Sequence, residues 1–159
     1  MDLSTLGLGA AVAAFGLSAV GSGFGCGIAG MAAIGAWKKC YAQDKPAPLI
    51  LLAFVGAPMT QTFYGFILMN NMIAFCNKMV AKGAVDTTFF SLLVFGAIAA
   101  GLSIGASAMF QGKCAASACD AFIETGKGFA NDMIILGMTE TIAILTLIFM
   151  IVIMGKVAA

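Results

Sequence analysis

At 159 residues the chain has the length of one domain, yet 62% of it is hydrophobic, only 9% is charged, and its mean hydropathy is +1.06. A soluble domain of this size cannot bury that much apolar surface, whereas a bilayer can solvate it. The net charge of +1 comes from lysines against acids, with no Arg and no His. That excludes a basic nucleic-acid-binding face and leaves no histidine for general-base work or zinc ligation.

Most charges fall in three short clusters: Lys38, Lys39, Asp44 and Lys45; Lys78, Lys82 and Asp86; and Asp120, Glu124, Lys127 and Asp132. Asp2 and Lys156 mark the two ends. The runs between clusters are nearly free of charge, and each exceeds the roughly 20 residues that a helix needs to cross a membrane. The fold class expected is therefore an all-α membrane protein of four transmembrane helices. Met1 is followed by Asp2 rather than by Lys or Arg, so no cleaved leader is expected.

The first crossing, about 4–37, is rich in small residues, with Gly16, Gly21, Gly23, Gly25, Gly27, Gly30 and Gly35. Glycine weakens a soluble helix but lets membrane helices approach closely. The pairs Gly21/Gly25 and Gly23/Gly27 predict tight packing on more than one side of this helix. Its Gly25-Cys26-Gly27-Ile28-Ala29-Gly30 stretch matches G-x-G-x-x-G, but inside an apolar run it cannot open a helix after a strand, so no nucleotide site is read from it. After a loop at about 38–47, the second crossing, about 48–77, contains Pro58. Proline removes the hydrogen bond to the carbonyl four residues back, at Phe54, and predicts a kink with a freed oxygen. The third crossing, about 87–117, is again small-rich, with Gly96, Gly101, Ser103, Gly105, Ser107 and Gly112. Its serines are read as bonding their own helix. The fourth, about 132–156, is bulky and aliphatic. The five cysteines, Cys26, Cys40, Cys76, Cys114 and Cys119, form no Cys-x-x-Cys pair and read as small apolar filler.

The alternation of small-rich and bulky crossings reflects an internal repeat. Gly16-Leu17-Ser18 matches Gly101-Leu102-Ser103, and Ser22 and Gly27 meet Ser107 and Gly112, at an offset of 85. Thr60-Gln61-Thr62 matches Thr139-Glu140-Thr141 at an offset of 79. A second hairpin loop shorter by six residues reconciles the two offsets. The chain reads as a duplicated helical hairpin, residues 1–79 and 80–159, in which Gln61 of the first copy stands where the second has Glu140. Five lysines (Lys38, Lys39, Lys45, Lys113, Lys127) flank the hairpin loops and three (Lys78, Lys82, Lys156) the other side. The positive-inside rule then places the hairpin loops in the cytoplasm and both termini outside.

Glu140 lies nine residues into its segment, about 13 Å along a helix and near mid-membrane. An ionised carboxylate there is costly unless a proton, a cation or a partner neutralises it. No lysine is placed at its depth in another crossing, so the neutralising charge is expected to be mobile: H+ or a metal ion. Gln61, Thr60 and Tyr64 fall within one turn of the second crossing, beside Pro58, and Gln111 is the one strongly polar side chain deep in the third apart from hydroxyls. Glu140, Gln61, Gln111, Thr60 and one backbone oxygen would supply five oxygens and one negative charge, a set that suits a monovalent cation.

Four stretches together resemble the membrane-ring proteolipid of V-type rotary ATPases, the ring component called c or K: Gly21-Ser22-Gly23-Phe24-Gly25-Cys26-Gly27, Pro58-Met59-Thr60-Gln61-Thr62-Phe63-Tyr64-Gly65, Phe110-Gln111-Gly112-Lys113 and Thr139-Glu140-Thr141. A duplicated hairpin with one carboxylate is itself a trait of that family. The likeness is greatest to the sodium-translocating bacterial form. It implies Na+ bound by Glu140, Gln61, Gln111, Thr60 and the backbone carbonyl of Ala57, with Tyr64 closing over Glu140. The family carries a bulkier residue where Ala57 stands and Gly where Met59 stands. It further implies a ring of identical copies with the small-rich helices inside, a stator membrane subunit with an essential Arg, a central-stalk subunit of the peripheral ATPase sector, and no catalysis by the chain itself. A bacterial plasma membrane is the expected location. Two readings stand beside it: the same ring carrying H+, and a small four-helix secondary transporter. The latter would need a substrate cavity with aromatic residues near the acid, and Trp37 is placed at an interface instead.

Overall fold

A computed structural model describes residues 3–83 and 87–157; Asp2 and Asp86, two of the charges that bound the apolar runs, lie outside them. The described residues are helical, with no strand: α1 Leu3–Tyr41, α2 Leu51–Gly56, a 3-10 turn Ala57–Met59, α3 Thr60–Ala81, α4 Thr87–Thr125 and α5 Phe129–Val157. Four helical stretches, Thr5–Tyr41, Leu51–Ala81, Phe89–Thr125 and Phe129–Val157, are long and apolar enough to cross a membrane. The helices outrun the limits expected from apolarity. Lys38, Lys39, Lys78, Asp120 and Glu124 lie on helices rather than in loops. Hydropathy reports where the lipid ends, while backbone hydrogen bonding continues until a cap stops it. Gly126 is such a stop: its φ is +65° and its N–H bonds the carbonyl of Phe122 at 2.8 Å.

The first hairpin connection, residues 42–50, has nine residues and the second, 126–128, has three. α1 and α4 have 39 residues each. They form the central pair; α3 packs on α1, and α5 on α4 and α3. Glycine makes the central contact possible. A side chain at Gly21 would overlap the backbone of Gly105, one at Gly25 the carbonyl of Ala108, and one at Gly112 the backbone of Gly25. Gly23 and Gly27, expected to pack like Gly21 and Gly25, have nothing within 4 Å: they lie on a side of α1 that the described part of this chain leaves uncovered.

Two apolar clusters fill the molecule. One holds Leu68, Met72, Cys76, Phe90, Leu93, Ile104, Ala143 and Leu147. The other, toward the hairpin loops, holds Ala29, Ala33, Leu51, Phe54, Ala115, Cys119 and Leu136. Cys40, Cys76 and Cys119 are buried, as filler residues should be. Large apolar side chains such as Phe24, Phe63, Ile134, Met138 and Phe149 stay exposed on the outer faces, as hydrocarbon contact permits and water does not. At the loop end, Lys39 Nζ meets Asp120 Oδ1 at 2.9 Å and Glu124 Oε1 at 3.5 Å. Such exposed pairs add little stability, but they join the ends of α1 and α4. Trp37 donates its indole N–H to the carbonyl of Pro48 at 3.0 Å.

Candidate functional site: a mid-membrane carboxylate

Between the two apolar clusters lies a polar belt. The buried polar side chains of the described residues, Ser18, Ser22, Gln61, Ser107 and Gln111, belong to it. Pro58 sets its geometry. Without a proline N–H the α-helix cannot continue, and the chain tightens into the 3-10 turn Ala57–Met59 before resuming at Thr60. In that turn the carbonyl of Ala57 accepts the N–H of Thr60, three residues on, and also the Thr60 hydroxyl at 3.0 Å. The 3-10 turn thus sets the Ala57 carbonyl against the Thr60 hydroxyl.

Thr60 Oγ1 also lies 3.2 Å from Gln61 Oε1. Three oxygens thus surround one hydroxyl hydrogen. Gln61 Nε2 donates to Gln111 Oε1 at 2.8 Å, and Gln111 Nε2 donates to the carbonyl of Leu136 at 2.8 Å and approaches Glu140 Oε2 at 3.4 Å. Tyr64 OH donates to Glu140 Oε1 at 2.5 Å. Because Tyr64 stands one turn beyond Thr60 on α3, the sequence Ala57, Thr60, Gln61, Gln111, Glu140, Tyr64 closes on itself across three helices. All six positions singled out in the sequence meet in one network. Gln61 and Gln111 are fully buried, and Glu140 and Tyr64 are partly so.

Among the described residues no ion pair reaches Glu140. One lysine does come near its level. Lys113 is two residues along α4 from Gln111, about 3 Å of rise, so the expectation that none shares that depth needs amendment. Its side chain is exposed and its Nζ lies over the Phe110 ring, 4.8 Å from the centroid. Two further expectations fail. Ser107 donates to the carbonyl of Thr139 at 2.7 Å, and Ser103 and Thr146 share a hydrogen bond of 2.9 Å. Neither serine is confined to its own helix; both tie α4 to α5. Ser18 follows the local pattern, bonding Ala14 O at 2.8 Å.

Four membrane-crossing helices around one acid, whose partners are all uncharged, define a multi-pass membrane protein organised about a single ionisable group. Residues 94–153 match the family model for the C subunit of ATP synthase, a stretch that includes Gln111 and Glu140. Over 152 residues, 96% of this chain, the sequence is 32% identical to the A-type ATP synthase subunit K of Methanocaldococcus jannaschii. The chain spans about three fifths of that relative, 61% of its length. The chain is thus similar to the C and K subunits of ATP synthases, to the first over residues 94–153 and to the second over nearly its whole length.

Proposed function

We propose that this chain is the ion-carrying subunit of the rotor ring of an A/V-type rotary ATPase, and that its cargo is Na+. The observation that carries the reading is the closed network at Glu140, bounded on both sides by apolar clusters and joined by no cationic side chain among the described residues. An acid so placed exchanges its charge partner with something that travels. Identical copies stand in a ring, with α1 and α4 toward its centre. An ion reaches Glu140 through a half-channel in a stator subunit, and the neutralised site then turns through lipid. A stator arginine displaces the ion on the far side. With Gln61 in place of a first carboxylate, each duplicated chain carries one ion. The hairpin loops face the cytoplasm and the central stalk, across a bacterial plasma membrane.

The preference for Na+ rests on oxygen. Ala57 O, Thr60 Oγ1 and Gln61 Oε1 already converge, and rotating the Gln111 amide would add a fourth beside Glu140. A proton needs no such set. Carbodiimide attacks the protonated carboxyl, so at fixed pH added Na+ should slow the labelling of Glu140, and less Na+ should be needed as pH rises and protons compete less. Labelling indifferent to Na+ would turn the reading to H+ carried by the same ring. Replacing Tyr64 by Phe deletes a hydrogen bond to the carboxylate, and should raise the Na+ concentration for half-protection about tenfold. An unchanged concentration would remove Tyr64 from the closing role.

A further inference from the structure

Ser22 is 4% exposed, and its hydroxyl oxygen has no hydrogen-bond partner. A serine sealed from water ordinarily bonds its own helix or a neighbour. One turn away Ser18 does the first, and Ser107, the counterpart of Ser22 in the second hairpin, does the second. Among the described residues the only other buried side-chain polar atom left unpartnered is Asp132 Oδ2, at the start of α5. Ser22 is therefore an exception inside the very belt that holds the site.

Two independent lines place it against Gln61. The first is helix register. A Cβ on Gly65 would lie 2.5 Å from the Cβ of Ser18, and one on Gly25 would lie 2.8 Å from the Cβ of Pro58. Ser22 is four residues from Ser18 and three from Gly25, on the same stripe of α1. It therefore faces the stretch between Pro58 and Gly65, at the level where Gln61 is wholly buried. The second is the repeat. Ser107 reaches the carbonyl of Thr139, the residue before Glu140. At the repeat offsets Ser22 answers to Ser107, and Thr60, the residue before Gln61, answers to Thr139.

Gln61 Nε2 carries two hydrogens, and one is given to Gln111 Oε1 at 2.8 Å. A cation drawing on the oxygens of Gln61 and Gln111 competes with that N–H for the Gln111 oxygen. The displaced N–H then needs another acceptor, because the belt excludes water. We infer that Ser22 is a positioning residue of the loaded site: its hydroxyl oxygen accepts the Gln61 amide N–H as the cation takes the Gln111 oxygen. The unpartnered hydroxyl is thus a reserve that only the ion-bound state uses. This rests on the sodium reading above.

The test is carbodiimide labelling of Glu140 in membranes holding the assembled ATPase, for wild type, Ser22→Ala, Ser22→Gly and Ser22→Thr. Loss of one hydrogen bond specific to the loaded state should raise the Na+ concentration for half-protection by about three- to tenfold in Ser22→Ala and Ser22→Gly. Their labelling against pH without Na+ should match wild type, and Ser22→Thr, which keeps the hydroxyl, should return toward it. Protected wild type with unaltered half-protection in Ser22→Ala would overturn the role of Ser22 and leave the sodium reading standing. A shifted sodium-free pH profile would overturn it too, by revealing a packing effect. Wild type that Na+ does not protect would overturn both.

Discussion

Glu140→Gln is expected to abolish ATP-driven ion transport while the protein still assembles. The glutamine is nearly isosteric. Its oxygen can accept from Tyr64 OH, which donates to Glu140 Oε1 at 2.5 Å in the native chain, so the network between α3 and α5 survives. What disappears is the charge that a travelling cation must neutralise, and with it every exchange step. Transport into vesicles should fall to background, carbodiimide should lose its target in this chain, and the ring should be recovered in normal amount. Glu140→Asp should also fail: shortening the side chain by one methylene withdraws the carboxylate from both Tyr64 and Gln111, whose Nε2 is already 3.4 Å from it. Vesicles of Glu140→Gln that pump at the native rate would end the proposal that Glu140 carries the ion.

Gly112→Val should prevent assembly altogether. A Cβ at Gly112 would coincide with the backbone of Gly25, so no rotamer change can make room. α1 and α4 would have to separate, and the registers that place Gln61 against Gln111 would separate with them. Overpacking a tight interior costs about 1–3 kcal/mol where side chains can adjust, and more where they cannot. The variant is expected at the high end, read as loss of folded protein in the membrane and of the ring proposed above. Gly155→Ala is the contrast. Nothing lies within 4 Å of a Cβ there, and alanine favours the helix by up to about 1 kcal/mol, so its oligomer should be as stable as the native one or slightly more so. Equal stability for both variants would mean that the central seam is looser than its glycines require.

The four crossings were legible because charge is so unevenly distributed, and the site because polar side chains are rare in the apolar runs. Glu140, Gln61, Gln111, Thr60 and Tyr64 could be picked out without knowing how the helices pack. What stayed hidden depends on packing or on local backbone form. Ser103 and Ser107 bond across to α5 only because the helices lie close enough, a distance that their own sequence neighbourhood does not state. Gly21 and Gly23 look alike in the chain, yet Gly21 closes on Gly105 while Gly23 meets nothing. The Ala57 carbonyl meets the Thr60 hydroxyl because the local turn is 3-10 and not α, a backbone form that the residues around Pro58 do not spell out. The ends of α1 and α4 run on past the lipid limits because hydrogen bonding and surface ion pairs, such as Lys39 with Asp120, sustain a helix that hydropathy no longer marks.

The central pair has a mechanical consequence. α1 and α4, at 39 residues each, are about 58 Å long, nearly twice the roughly 30 Å of hydrocarbon. Backbone touches backbone from Ala14 and Gly101 to Gly25 and Gly112, and Lys39 bridges the two at one end. Two rods fused along such a seam resist torsion far better than either alone. If the chain turns in a ring as proposed, torque applied at the loop rim would arrive at the depth of Glu140 with little twist lost on the way, and any spring that smooths the steps would have to lie in another subunit.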